Sequence, residues 1–292
     1  MLFVPFVVNF LSVAIMKVPS WIKTTYSPQD NEMRALLRNL GLHTICEEAR
    51  CPNIGECFAR RTATLLILGC ICTRNCRFCA VEKGKPFPPD EKEPKRVREI
   101  VEKLGLRYVV ITSPSRDDLS DGGATQFAST IRALRDIADV EVLVPDFGGS
   151  RDALKTVIDE GPYVLNHNIE TVFRLYSTVR PMANYKRSLK LLEWAKQMGA
   201  TTKSGFMVGL GEGMDEVIGL MKDLRDVGVD IVTVGQYIRP PGGKVKVNRY
   251  LPLEEFDDIK IIAKELGFRG AASGPLVRSS YRARELARSL GQ

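Results

Sequence analysis

The stretch GCICTRNCRFCAV, residues 69–81, places four of the chain's seven cysteines within ten positions. Three of them, Cys72, Cys76 and Cys79, have the spacing C-x3-C-x2-C. That spacing lets a short loop wrap three thiolates around three corners of one iron-sulfur cube, leaving the fourth iron without a protein ligand. An open metal position can bind a substrate directly, whereas a closed set of ligands chiefly stabilises structure. The alternative is a zinc knuckle that also recruits Cys70, although zinc sites favour paired C-x2-C groups separated by a longer spacer.

What flanks this loop sets the fold. It follows the apolar run TLLIL (64–68), and similar runs recur as YVVIT (108–112), VEVLV (140–144), YVLN (163–166), KSGFMV (203–208) and DIVTV (230–234). Between them lie amphipathic segments at 95–104, 124–137, 152–158, 186–198 and 215–227, with apolar residues at three- and four-residue steps. A further helix is expected over 30–40, ending near Gly41. Repeated strand-helix units build a parallel sheet with right-handed crossovers. The first strand runs into cysteines instead of a glycine-rich nucleotide turn, and GLGEG (209–213) lacks the full dinucleotide fingerprint. An α/β fold of the partial (β/α)6 TIM-barrel type therefore fits better than an open doubly wound sheet. Chemistry in barrels collects at the carboxyl ends of the strands. Here those exits carry the cysteine loop, SPSRDD (113–118), PDFGG (145–149), HNIET (167–171), GLGE (209–212) and GQYIRP (235–240). Together they describe a polar mouth above an apolar barrel.

Composition narrows the class. With 292 residues, 44% hydrophobic and 26% charged, the chain can form one large globular domain. All seven cysteines lie between 46 and 79, so they do not resemble a disulfide framework spread through a secreted fold. A metal in a reducing, cytoplasmic compartment is the expectation. The net charge of +7 is carried by Lys and Arg interspersed with Asp and Glu, without the basic run or aromatic-basic stripe that nucleic acid calls for. An acidic protein partner is compatible with the surplus. The uncharged leader MLFVPFVVNFLSVAI (1–15) is too short to span a bilayer comfortably and lacks a basic start and a cleavage site. It is expected to be dispensable or a mis-assigned start, with Met16 the true one. Membrane association of this segment is the alternative.

With its C-x3-C-x2-C at the end of the first strand and Phe78 before the last cysteine, the chain resembles the radical S-adenosylmethionine superfamily. A second cysteine group, CEEARCPNIGEC (46–57), has the C-x4-C-x5-C spacing of the lipoyl synthase family, and RSSY (278–281) is similar to that family's carboxyl-terminal signature. RDDLSDGG (116–123), NHNIET (166–171), TKSGFMVGLGE (202–212) and GQYIRP (235–240) also look like the family, over about residues 16–283. Cys70 departs from it, standing where an Asp or another polar residue is common. A small thiol packed at a strand end and an additional ligand are both open for this position.

The resemblance implies two 4Fe-4S clusters and S-adenosylmethionine. A cluster on Cys72, Cys76 and Cys79 would bind and reductively cleave S-adenosylmethionine, giving a 5'-deoxyadenosyl radical. An auxiliary cluster on Cys46, Cys51 and Cys57, with Ser280 as its fourth ligand, would donate sulfur to two carbons of a protein-bound octanoyl chain. From residue chemistry alone, RSSY reads equally as a serine cap on a last helix. The implied partners are an octanoylated lipoyl-carrier protein (an acidic lipoyl domain or the glycine-cleavage H protein), an electron donor such as ferredoxin or flavodoxin, and a cluster-repair protein.

For the cofactor pocket, the strand-exit candidates are Asn168 and Glu170, for ribose or the methionine amino group. Lys203 and Glu212 are placed at the same mouth, with Arg116, Asp117 and Asp118 at the second strand. His167 is expected to bond a neighbour, and His43 to be a structural hydrogen-bond partner. The expected organisation is a leader (1–15), an amino-terminal extension with the auxiliary cysteines (16–60), the barrel (61–268) and a carboxyl-terminal extension with RSSY (269–292). Competing assignments are another two-cluster sulfur-inserting enzyme resembling biotin synthase, and a non-enzymatic iron-sulfur or zinc protein.

Overall fold

Each apolar run marks a strand in the computed structural model, which describes Pro19, Trp21 and residues 29–59, 63–241 and 243–288. The leader and the Met16 start lie outside the described residues. The strands are β1 (His43–Thr44), β2 (Thr64–Leu66), β3 (Ile71–Cys72), β4 (Glu82–Lys83), β5 (Tyr108–Thr112), β6 (Asp139–Leu143), β7 (Val164–Asn166), β8 (Thr202–Val208), β9 (Ile231–Gln236) and β10 (Gly270–Gly274). The helices are α1 (Gln29–Asn39), α2 (Ile45–Glu48), α3 (Ile54–Ala59), α4 (Glu93–Leu104), α5 (Ala124–Leu134), α6 (Arg151–Ile158), α7 (Tyr176–Val179), α8 (Tyr185–Gln197), α9 (Met214–Asp226), α10 (Leu253–Glu265) and α11 (Ala283–Arg288).

One sheet runs in the order β1-β2-β5-β6-β7-β8-β9-β10. β1 joins β2 antiparallel, and the remaining neighbours are parallel. Among the described residues the partial barrel thus has the six expected strand-helix units and a seventh parallel strand after them. The extra one, β10, pairs with β9 from Gly270 opposite Ile231 to Gly274 opposite Gly235. Its sequence, GAASG, contains no branched or aromatic residue and carries no strand signal of its own.

The outer faces of the strands bury the apolar stripes of the helices. Leu65, Ile111 and Val142 pack with Val97, Ile100, Phe127, Ile131 and Leu154 of α4, α5 and α6. Phe206, Val232 and Val234 pack with Leu220, Met221 and Ile259 of α9 and α10. Local signals bound the helices. α4 starts with Pro94 in its first turn and stops at Gly105, whose φ of 64° allows the left-handed cap. α6 and α8 are capped by Ser150 and Asn184, whose side chains accept from the amides of Ala153 and Arg187.

Two features place the functional segments. After β2, Leu68 takes a φ of 66°, a left-handed conformation costly for a leucine. The strained turn is held from both sides. The Leu68 amide donates to the buried Glu93 carboxylate at 2.9 Å, and the Leu68 carbonyl accepts from Arg116 Nη1 at 3.1 Å. At the other end of the sheet the chain leaves β10 and passes over β9. A side chain at Gly235 would overlap the carbonyl oxygen of Val277, so the close approach of residues 275–278 requires glycine there.

Candidate active site

The first cysteine group lies on the loop that the strained turn launches. Cys72 ends β3, and its neighbours are fixed by backbone bonds: Thr73 N–H to Ser115 O (3.1 Å), Arg77 N–H to Val179 O (2.9 Å) and Gly84 N–H to Cys72 O (3.1 Å). Arg74 is buried and donates to Asp117 at 2.8 and 2.7 Å and to Asp146 at 2.5 Å. Burial alone would raise the Asp146 carboxyl, but Arg74 overrides it, with help from His167 and Arg187, and holds it at about 2. The three thiols lie within electrostatic reach of one another. Burial pushes Cys79 up to about 11 and also raises Cys76, where the charge of Arg180 opposes it. Ligation must therefore displace protons from Cys76 and Cys79.

Arg180 connects this loop to the mouth. One of its guanidinium nitrogens, Nη1, donates to Asn168 O (3.0 Å) and to the Tyr176 hydroxyl (2.8 Å). Tyr176 is 2.8 Å from Ser188 Oγ, which is 2.9 Å from His167 Nε2. His167 Nδ1 is 2.8 Å from Val144 O, a group that only accepts, so Nδ1 carries the proton and Nε2 accepts from Ser188. Burial, then the charge of Arg180, lowers the His167 pKa to about 4. A neutral histidine thus ends the chain of bonds that supports Arg180.

Glu170 lies at the exit of β7 with a φ of 70°, a second strained residue at a strand exit. Its carboxyl is raised by burial, against which Arg180, Asn168 and Arg278 pull. The Asn168 side chain reaches Ser279 Oγ at 3.4 Å, while its own Oδ1 is buried without a hydrogen-bond partner among the described residues. Ser113, after β5, and Ser273, in β10, also hold buried unpartnered hydroxyls at strand exits. Unsatisfied polar atoms converging on one mouth are suited to a polar ligand. A side chain at Gly205 would meet Asn168 Oδ1 at 2.8 Å and Thr233 Oγ1 at 2.6 Å, so this glycine keeps the space open.

Other sequence candidates lie elsewhere. Lys203 does not reach the mouth: it stands at the start of β8, buried in the barrel, and donates to Glu141 at 2.8 Å. Glu141 also accepts from Tyr108 at 2.6 Å and from Asn166 at 3.3 Å, a polar floor beneath the cavity. Glu212 turns back on its own loop and accepts from the amides of Gly209 and Leu210 at 2.5 and 2.9 Å. Arg116 binds Leu68 O, Phe87 O and Asp118, so this pair braces the cysteine loop. Arg180 and Arg278 were not among the sequence candidates. Arg180 follows a helix instead of a strand, and only its bonding reveals its place.

The second group is built from both ends of the chain. Cys46 lies in α2, which Thr44 caps by accepting from the Glu47 amide at 3.3 Å. Cys57 lies in α3, with Cys51 between the two helices. Cys46, Cys51, Cys57 and Ser280 line one small cavity together with Asn53, Thr64, Arg278 and Tyr281. Burial and the adjacent Cys51 push Cys46 up to about 12. Asn53 Nδ2 donates to Leu276 O at 2.7 Å, and the Tyr281 hydroxyl to the Glu56 carboxylate at 3.1 Å. Arg278 lies within electrostatic reach of both Cys51 in this group and Glu170 at the exit of β7.

Comparison with known proteins identifies the family. Residues 66–236 match the radical SAM superfamily, and residues 12–51 match the N-terminal domain of lipoyl synthase of the radical SAM family. A lipoyl synthase of Caldanaerobacter subterraneus subsp. tengcongensis is 56% identical over 273 residues, covering 92% of this chain and 96% of the relative. The chain belongs to the lipoyl synthase family. The lipoyl synthase of Rubrobacter xylanophilus is 55% identical, covering 91% and 85% of the two chains, and that of Methylococcus capsulatus 50%, covering 96% and 89%. Among solved structures, methylornithine synthase (PylB) aligns with a TM-score of 0.51 at 16% identity over 92% of each chain. The hydrogenase maturase HydG aligns at 0.57 and 16% identity, covering 92% of this chain and 61% of HydG, a likeness of fold. Membership of the superfamily brings a 4Fe-4S cluster and S-adenosylmethionine, and the family acts on lipoyl-carrier proteins. Among the described residues no helix is long and apolar enough to cross a membrane.

Proposed function

We propose that this chain inserts two sulfur atoms, at C6 and C8, into an octanoyl-lysine chain of a carrier protein, using two 4Fe-4S clusters of unequal fate. The observation that carries the proposal is the meeting of Cys46, Cys51, Cys57 and Ser280 at one cavity, apart from Cys72, Cys76 and Cys79. Three soft thiolates with a hard hydroxyl suit a cluster held firmly at three irons and loosely at the fourth.

When bound, the cluster on Cys72, Cys76 and Cys79 would supply the electron that cleaves S-adenosylmethionine, and the auxiliary cluster the sulfur. The protein's own part is positioning. Arg74, tied to Asp117 and Asp146, holds the cysteine loop against the barrel. Arg180, beside Cys76, offsets the negative charge that three ionised thiolates bring. Asn168 and Glu170, at the exit of β7, are oriented to accept from the amino group or ribose of the cofactor. Arg278, within reach of both Cys51 and Glu170, would stand between the two groups. Its charge would screen one from the other and line the path of an apolar chain threaded between them.

A carrier protein with an acidic face suits the net charge of +7. A ferredoxin or flavodoxin as electron donor and a protein that rebuilds the spent cluster complete the proposed partners. The test is anaerobic incubation of reconstituted enzyme with an octanoyl-lysine peptide, reductant and S-adenosylmethionine, read by mass spectrometry. Lipoyl peptide is expected from the wild type. Ser280→Ala should lower the yield and change the spectroscopic signature of one iron in the auxiliary cluster, whereas Ser279→Ala should do so less. Equal behaviour of the two variants would remove Ser280 from the ligand set.

A further inference from the structure

Cys70 belongs to neither cysteine triad, yet it is not isolated. One donor atom each from Cys70, His43 and Glu48 lies within 4.8 Å of the other two, and all three residues are partly exposed. His43 Nδ1 and Glu48 Oε1 are already 3.2 Å apart. The three come from different elements: His43 from β1, Glu48 from the end of α2, and Cys70 from the turn that opens the cysteine loop. Thr44, capping α2 between His43 and Glu48, fixes those two relative to each other.

We propose that His43, Glu48 and Cys70 bind one divalent metal ion of borderline softness, Zn2+ or Fe2+, as a clasp between the amino-terminal extension and the barrel. A nitrogen, an oxygen and a sulfur donor form the mixed set such ions accept, whereas Mg2+ and Ca2+ require oxygen. A thiolate and a carboxylate neutralise the 2+ charge, the imidazole adds none, and the partial exposure leaves a fourth position for water. Ligand-to-ligand spacings in a tetrahedral site are shorter than 4.8 Å, so the side chains close slightly around the ion without backbone rearrangement. Binding releases the Cys70 thiol proton to solvent, the Nδ1 proton that His43 shares with Glu48 passes through solvent to Nε2 so that the neutral ring can ligate, and the His43–Glu48 contact is exchanged for two bonds to the metal. No electron is transferred.

The position gives the site a purpose. Glu48 lies between Cys46 and Cys51, and Cys70 lies two residues before Cys72, so the ion would tie the backbone of one triad to that of the other. The elements it joins are short, two residues in β1 and four in α2. The clasp requires only that both triads be folded, whatever chemistry they perform.

The experiment uses reconstituted holoenzyme with both triads loaded, exposed anaerobically to Zn2+ alone and freed of unbound metal. Elemental analysis should find about one zinc per chain beyond unchanged iron. Zinc-edge X-ray absorption should show a single sulfur among nitrogen and oxygen neighbours. Cys70→Ser and His43→Ala should each weaken zinc retention at least about tenfold at constant iron content. Should either variant lose iron, Glu48→Gln supplies the same readout with a nearly isosteric change. No zinc in the wild type, zinc retained by Cys70→Ser, or two or more sulfurs at the zinc would each overturn the proposal, the last by placing the ion in a triad.

Discussion

The two cysteine triads are built in opposite ways. Cys72, Cys76 and Cys79 lie on one short loop at a strand exit, braced by Glu93 of α4, Arg116 after β5, Arg180 after α7 and the loop's own Arg74. Cys46, Cys51 and Cys57 lie on two short helices and the link between them, outside the parallel strands, and their cavity is completed only when Ser280 arrives from the far end of the chain. The first site is part of the scaffold and the second is an assembly of two termini. A permanent cofactor needs the former, while a cluster that is consumed and replaced needs a seat that can be opened without unfolding the barrel.

The largest effect should separate the triads outright. Replacing Cys72, Cys76 and Cys79 together by Ala should abolish S-adenosylmethionine cleavage, measured as 5'-deoxyadenosine formed. Replacing Cys46, Cys51 and Cys57 should leave cleavage and stop sulfur insertion. Lipoyl product from the second triple variant would erase the distinction. Next in size is Gly235→Ala. The added methyl meets the Val277 carbonyl, a backbone atom that must move, and Val277 adjoins Arg278. Auxiliary iron should be lost and the first cluster kept, giving about half the wild-type iron by elemental analysis. Equal loss from both sites would show that the two are not independent.

Asn53→Ala probes the tie between the termini more gently. It leaves the half-buried Leu276 carbonyl without this partner, a loss of about 0.5–1.5 kcal/mol. The auxiliary cluster should be released faster to a chelator, at an unchanged rate for the first. The effect with the least bearing on cluster content concerns the support of the first site. His167 binds its proton at about 4 when folded and near 6.5 when not, so the unfolded chain holds the extra proton between these values. Stability is therefore greatest above pH 6.5 and falls as the pH drops toward 4, by up to about 3 kcal/mol. Denaturant titrations across that range should show the slope, and His167→Gln should flatten it.

Much of this architecture was legible because it rests on short-range chemistry. Branched apolar runs announced the strands, thiol spacing announced the first triad and the family resemblance the second, and the strand-exit rule selected Asn168 and Glu170 along with the segment holding Ser113. It failed where the chemistry is long-range. GAASG forms β10 because β9 offers an open edge, not through any propensity of its own. Lys203 was placed at the mouth by the strand-exit rule, but it stands at the start of β8, where Glu141 on β6 pairs with it in the barrel floor. Arg180 escaped notice because its partners, Tyr176, Ser188 and His167, form a chain only when folded. RSSY remained ambiguous between helix cap and ligand. In the fold α11 begins at Ala283, and Ser280 lines the cysteine cavity.

The central claim is that the site made of two termini holds a reagent and the site on the barrel holds a catalyst. Enzyme reconstituted with isotopically labelled sulfide, its first cluster exchanged back to unlabelled, tests it most directly, by mass spectrometry of the lipoyl product without any repair protein. The account predicts label at both sulfur positions and about one lipoyl group per polypeptide before the reaction stops. Unlabelled product formed over many turnovers from a labelled auxiliary cluster would contradict it.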